Sequence, residues 1–265
     1  MSHPIENLIE IMKQLRTPET GCPWDLKQSY KSIVPHTIEE AYEVADAIEQ
    51  SDFNELKKEL GDLLFQVIFY AQLATEDQHF NFNDIVETVC EKLTRRHPHV
   101  FGEQKFNDEI KIKQNWENEK AKEREIKAGK EVSVLADIPK NLPALSQANK
   151  IQKRVAHIGF DWPEVSGAWD KVKEEVDEVE QELYLDPYSD KTAEEIGDLM
   201  FALVNVARHA KKDPEQLLRE ANQKFTNRFM QLEIHLSQQK IKFEDVTLEQ
   251  LGMIWEEVKV SEKNK

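Results

Sequence analysis

The sequence predicts an all-α protein made of two tandem helical domains, and three observations carry that reading. Glycine is scarce, with 8 in 265 residues, about 3% against a usual share of roughly 7%, and strand-and-turn alternation is rare. Apolar residues recur at helical spacing instead: Ile38, Ala41, Tyr42, Ala45 and Ile48 follow the i, i+3, i+4, i+7 rule of one helix face. The third observation is an internal repeat, in which four short motifs of the first half return in the same order in the second.

Along the chain, "MSHPIENLIEIMKQLR" is interrupted by charges and is not a secretory signal. Residues 38–48 form an amphipathic helix. The run from Leu63 to Ala74 is apolar on nearly every side, as expected of a central helix buried by its neighbours. It contains Gln66 and Gln72 and is too short for a membrane span, so a cytoplasmic protein without a membrane partner is expected. Residues 117–131, "ENEKAKEREIKAGKE", hold ten charges in fifteen positions. They start as a solvated helix and become a linker around Gly129, with Pro139 and Pro143 marking the next start. The expected organisation is a first domain over 1–125, a linker over 126–142 and a second domain over 143–265. In the second domain, Ile196, Leu199, Met200, Phe201, Leu203, Val204 and Val206 are expected inside.

Charge and cysteine content narrow the function. A net charge of −16 argues against a nucleic-acid groove, which needs a basic face. Cys22 and Cys90 form no metal-type spacing and read as reduced structural thiols.

The repeat gives the chemistry. The first half has "EEAYE" (Glu39, Glu40, Glu43), "ELGD" (Glu59, Asp62), "KLTRR" (Lys92, Arg96) and "WENEK" (Trp116, Lys120). The second has "EEVDE" (Glu174, Glu175, Glu178), "EIGD" (Glu195, Asp198), "KFTNR" (Lys224, Arg228) and "WEEVK" (Trp255, Lys259). Fifteen residues separate the first two motifs in one half and sixteen in the other, so the chain reads as a duplication.

In a helix, Glu175 and Glu178 share a face, as do Glu195 and Asp198. Two such helices packed antiparallel would bring the pairs together, and four converging carboxylates repel unless something compensates. A hard divalent cation does so, and Mg²⁺ or Mn²⁺ suits an all-oxygen set. Cysteine and histidine are absent from the motif, which counts against zinc. A di-iron bundle needs two Glu-x-x-His motifs, and the chain has one, Glu76 to His79, outside the repeat. No G-x-x-x-x-G-K-[ST] loop or G-x-S-x-G elbow exists. His97 and His99 read as a loop. Trp255 reads equally as core or as an aromatic wall for a base, but cations in its company, Lys224, Arg228 and Lys259, favour a phosphate-bearing ligand.

Together these residues resemble the MazG family of nucleoside triphosphate pyrophosphohydrolases, in the all-α NTP-pyrophosphatase superfamily. The resemblance rests on EExxE followed by ExxD, on its duplication, on "GDLLFQVIFYAQLA" and on "KIQKRVAHIGFDWP", and it covers essentially the whole chain. It implies hydrolysis of a nucleoside triphosphate between the α- and β-phosphates, Mg²⁺ dependence, and a homodimer with active sites in four-helix bundles. By motif, Glu175, Glu178, Glu195 and Asp198 would hold the metal. Nucleotide contacts would come from Lys171, Val172, Lys173, Glu174 and Glu175, from Lys191, Thr192, Ala193 and Glu194, from Lys224, Phe225, Thr226, Asn227 and Arg228, and from Trp255. Glu174 is the candidate for orienting or deprotonating the water. A non-catalytic helical protein that senses metal or nucleotide is the alternative. The second half is expected to carry the activity, because Lys191, Lys171 and Lys173 are replaced by Glu55, His36 and Ile38 in the first.

Overall fold

The computed structural model describes residues 3–106, 108–128 and 133–263, and every regular element among them is helical. The chain divides into two compact units, Met1–Glu119 and Lys120–Lys265. The border falls inside the charged helix α6 (Glu109–Ala128). Gly129 and its neighbours to 132, where a linker is expected, lie outside the described residues.

The first unit contains α1 (Pro4–Leu15), α2 (Tyr30–Glu49), α3 (Phe53–Glu76), α4 (Phe82–Arg96) and the short α5 (Pro98–Phe101). Short polar side chains start the helices. Ser29 accepts from Ser32 N–H, Asp52 from Asn54 and Glu55 N–H, and Asn81 from Asn83 and Asp84 N–H, which satisfies amides that have no intrahelical partner. Only Gln50, Ser51 and Asp52 join α2 to α3, with Ser51 at a left-handed φ of 58°, so the two helices fold back on each other as a hairpin. Ile68, Phe69 and Leu73 of α3 pack with Met12 of α1 and Ile33 of α2 to make the core.

The second unit repeats the plan with α7 (Ala144–His157), α8 (Val165–Leu185), α9 (Asp190–His209), α10 (Pro214–Gln239) and α11 (Leu248–Lys263). The α8–α9 hairpin turns through Asp186–Ser189. Ser189 Oγ accepts from Thr192 N–H at 3.0 Å, and the buried Thr192 hydroxyl donates to Asp186 O at 2.7 Å. Ala168, Val172, Ala202, Val204, Leu232, Leu236 and Val258 are buried.

Two expectations about burial are corrected. Ile38, Tyr42 and Ile48 are exposed, and so are Ile196, Met200, Phe201 and Leu203, at 38–57%. Periodicity marks an apolar face, but each hairpin helix has its principal partner on one side only, so a second apolar stripe remains uncovered. Leu63–Ala74 is buried through Gln66, Ile68, Phe69, Ala71, Leu73 and Ala74. Cys90 is exposed and Cys22 partly so, so neither belongs to the core.

An ion pair ties the start of each unit to the far end of its third-position helix. In the first, Arg16 grips the Glu76 carboxylate with Nε at 2.9 Å and Nη2 at 2.7 Å, lies 5.4 Å from the Phe69 ring centroid, and donates to Asp25 O. In the second, Arg208 at the end of α9 grips Asp161, with Nη1 at 2.9 Å, and His209 Nε2 lies 3.1 Å from the same carboxylate. The two ties have opposite polarity. Burial works to raise the Glu76 pKa, but hydrogen bonds from Arg16 and Gln72 and the guanidinium charge outweigh it and hold the group below the usual range. Because the folded-state pKa is depressed, the tie stabilises fully above the unfolded value of about 4.3 and is lost as pH falls through the folded value. Glu76→Gln should therefore be less stable than the parent near pH 6, with the gap closing below about pH 4. Denaturant titrations across this range measure the gap, and a pH-independent gap would show that charge is not its source.

Candidate active site

The α8–α9 hairpin brings acids of both helices to one place. Glu175 and Glu195 are buried, 4% and 6% exposed, because they stand on the inner faces beside Val172 and Ala202. One carboxylate oxygen each from Glu175, Glu195 and Asp198 lie within 4.8 Å of one another. Glu178, the fourth expected ligand, borders this group outside that radius. Burial, then the charges of Glu195 and Glu175, push its carboxyl pKa up against the opposing Lys171. Glu174 is exposed and accepts from Lys171 at 2.8 Å.

Two lysines neutralise the cluster. Lys171 Nζ lies 2.7 Å from Glu175 Oε1, and Lys191 pairs with Glu195 Oε1 while reaching Glu194 at 3.3 Å. Hydrogen bonds to these glutamates hold both lysines above the ordinary lysine range. Glu175 Oε2 remains buried with no hydrogen-bond partner, a costly state for a carboxylate oxygen. An all-oxygen donor set with an orphaned lone pair facing it fits a hard divalent cation.

The first unit carries a counterpart with a different balance. Oxygens of Glu40, Glu43 and Glu59 lie within 4.8 Å of one another, and Asp62 lies outside the group. Among the described residues no lysine ion pair to these three is seen: Lys58 is held by Glu55 at 2.6 Å, and Gln66 Nε2 donates to Glu40 at 3.4 Å. Burial and then neighbouring carboxylates raise the pKa of Glu40, through Asp62 and Glu43, and of Glu59, through Glu43 and Glu55.

The remaining expected contacts fall in two places. Lys171–Glu175 and Lys191–Glu194 flank the carboxylates, although Val172 is core and Thr192 serves the helix start. Lys224–Arg228 and Trp255 lie on α10 and α11. There Phe225 packs on Trp255 at 5.0 Å, Asn227 accepts from Gln223, and Arg228 donates to Glu262 at 2.8 Å. Among the described residues no hydrogen bond, ion pair or ring contact joins this group to the α8–α9 acids. Lys171 and Lys191, expected on a ligand, rest instead on glutamates four residues on, a pairing that the i, i+4 spacing signals. Within "GFDWP", Asp161 receives Arg208, a partner 47 residues on that no local spacing signals.

Two helical hairpins, each with facing carboxylates, define an all-α protein with paired acidic sites. Residues 28–101 match the MazG nucleotide pyrophosphohydrolase domain, a stretch that takes in α2, α3 and α4 of the first unit. The chain is 47% identical over 259 residues to the nucleoside triphosphate pyrophosphohydrolase of Escherichia coli (strain K12), covering 97% of this chain and 98% of that one. It is 41% identical over 254 residues to the nucleoside triphosphate pyrophosphohydrolase/pyrophosphatase MazG of Thermotoga maritima, covering 96% and 95%. A solved mazG-related protein from Thermotoga maritima aligns at 30% identity with a TM-score of 0.38, over 44% of this chain and 98% of that one. The chain belongs to the MazG nucleotide pyrophosphohydrolase family.

The raised Glu178 pKa has a testable sign. A carboxyl raised above its unfolded value destabilises the fold once pH exceeds that value, because the folded state must ionise against its neighbours. Glu178→Gln should raise the thermal midpoint of the metal-free protein near pH 7 and leave it nearly unchanged near pH 4, about the unfolded carboxyl value. A lower midpoint at pH 7 would show that Glu178 is stabilised by its surroundings.

Proposed function

We propose that this protein is a Mg²⁺-dependent nucleoside triphosphate pyrophosphohydrolase that cuts between the α- and β-phosphates, releasing a nucleoside monophosphate and pyrophosphate. The observation that carries this reading is the Glu175–Glu195–Asp198 cluster, two of its carboxylates buried and the third exposed, with its orphaned oxygen and two adjacent lysines. The family membership and the names of the relatives support the activity. Mg²⁺ is the proposed cofactor, with Mn²⁺ as a substitute.

In this reading Glu175, Glu195 and Asp198 hold the cation, with Glu178 completing the set. When bound, the cation supplies Lewis acidity to phosphoryl oxygens and to the attacking water. Lys171 and Lys191 neutralise phosphate charge, and Glu174, exposed beside the cluster, orients or deprotonates the water. Short-linked helices with Glu175 and Glu195 on their inner faces keep these carboxylates fixed, as a metal-assisted displacement requires.

The reading extends to a homodimer. Trp169, Val176 and Leu183 form an exposed stripe on α8 at seven-residue spacing, and Ile196, Met200 and Leu203 form one on α9. A second copy laid along these stripes completes a four-helix bundle and supplies the apolar cover the hairpin lacks. Such a bundle gives Lys224, Arg228 and Trp255 a route to a nucleotide they do not reach within one hairpin.

Activity resides in the second unit. Where it has Lys191 and Lys171, the first has Glu55 and His36. This loss of cations disfavours a triphosphate on the order of 10²-fold.

Purified protein should convert nucleoside triphosphates to monophosphate and pyrophosphate only with Mg²⁺ or Mn²⁺. Glu175→Ala should lower turnover on the order of 10²-fold with the helical spectrum intact. Product analysis showing orthophosphate and a diphosphate intermediate would place the cut at another bond. For the division of labour, Glu195→Ala should abolish nearly all activity and the equivalent Glu59→Ala should keep most of it. Equal losses would give both units a catalytic share.

A further inference from the structure

The two lysines at the second-unit site stand where a cation would have to stand. Lys171 and Lys191 reach Oε1 of Glu175 and Oε1 of Glu195, the two buried carboxylates that any bound cation must use. We propose that Lys171 and Lys191 are exchangeable counter-ions that close the metal site of the empty protein, and that a nucleoside triphosphate draws them off Glu175 and Glu195, so that cation and nucleotide bind the second unit together. This rests on the nucleotide reading given above.

Helix stability does not account for the placement of these lysines. Each precedes its glutamate by four residues, the less favourable order for an i, i+4 pair. Lys191 also sits in the first turn of α9, where the helix field disfavours a cation and favours an anion. A phosphate at that position would meet both the ammonium and the helix start. The mobility of the partners differs in the sense required. The glutamate side chains are 6% and 9% exposed and fixed by packing, while Lys171 and Lys191 are 35% and 53% exposed on flexible stems. The lysines can therefore leave while the carboxylates stay.

Competition follows from charge. An ammonium on a carboxylate oxygen occupies the lone pair a divalent cation would take, and its charge repels that cation at a few ångströms. A triphosphate offers the ammonium groups new oxygen partners and removes both obstacles at once. Among the described residues the first unit shows no such closure. Gln66, a neutral amide, is the side chain on Glu40, and Glu55 occupies the position of Lys191. Its site is expected to accept a cation without nucleotide, so the two units of one chain serve as internal comparison.

The test is Mn²⁺ binding to the full-length protein, followed by the electron paramagnetic resonance of free Mn²⁺ and by calorimetry. Titrations are made with and without an α,β-methylene nucleoside triphosphate, and Glu195→Gln identifies the second-unit sites. In Lys171→Gln/Lys191→Gln, second-unit Mn²⁺ affinity without nucleotide should tighten about tenfold. The enhancement produced by the analogue should shrink correspondingly, as linkage requires. Lys212→Gln removes the same charge from the same unit, but Lys212 is exposed beyond the end of α9, and it should change the affinity less than about twofold. Unchanged or weaker Mn²⁺ binding in the double variant would overturn the proposal, and so would an equal gain in Lys212→Gln. If the analogue fails to bind the parent, the nucleotide reading itself fails. If it binds and enhances Mn²⁺ affinity equally in parent and double variant, the reading stands and the exchange is refuted.

Discussion

Carboxylates that face one another across a helical hairpin are the constraint on which each unit depends. Burial on α8 and α9 fixes Glu175 and Glu195 in place, and the same burial makes their charges expensive to leave uncompensated. The two units relieve this repulsion differently. The second places ammonium groups on its glutamates. The first relies on raised carboxyl pKa values and an amide. One duplicated scaffold thus carries two electrostatic solutions, and the difference comes from single residues four positions before each glutamate.

Much of this was legible in the sequence. Helical periodicity, scarce glycine and the repeated EExxE and ExxD motifs located both hairpins and the residues that meet at their centres. Glu175, Glu195 and Asp198 share the expected cluster because a short turn and 3.6-residue periodicity leave little freedom. What stayed hidden depends on partners rather than on pattern. Periodicity marks Ile38, Tyr42, Ile196 and Met200 as apolar-face residues, but it does not say whether the covering surface lies in the same chain. Nor does it say that Trp255 packs on Phe225 with no hydrogen bond, ion pair or ring contact to the acids among the described residues. Arg16 reads as an ordinary charge at a helix end, and only long-range folding reveals Glu76 sixty residues on.

The helix starts explain why the site can be rigid while its cations are not. Ser189, Thr192 and the Asp186 carbonyl lock the first turn of α9 through interior hydrogen bonds. Lys191 lies in that same turn with its side chain toward solvent. A fixed backbone carrying a long, half-exposed side chain, paired to Glu194 and Glu195, is the arrangement that would let charge rearrange without moving the carboxylates.

The opposite polarity of the two end ties bears on how a duplicated chain sorts itself during folding. Similar halves can exchange helices and assemble across the repeat, a characteristic failure of such proteins. Here an α3 end carrying Glu76 that met the second unit's loop would find Asp161, and an α9 end carrying Arg208 that met the first unit's α1 would find Arg16. Both encounters set like charges together in a partly buried position, where repulsion is strong. A helix exchange that brought these ends together would therefore cost more than the native pairing within each half.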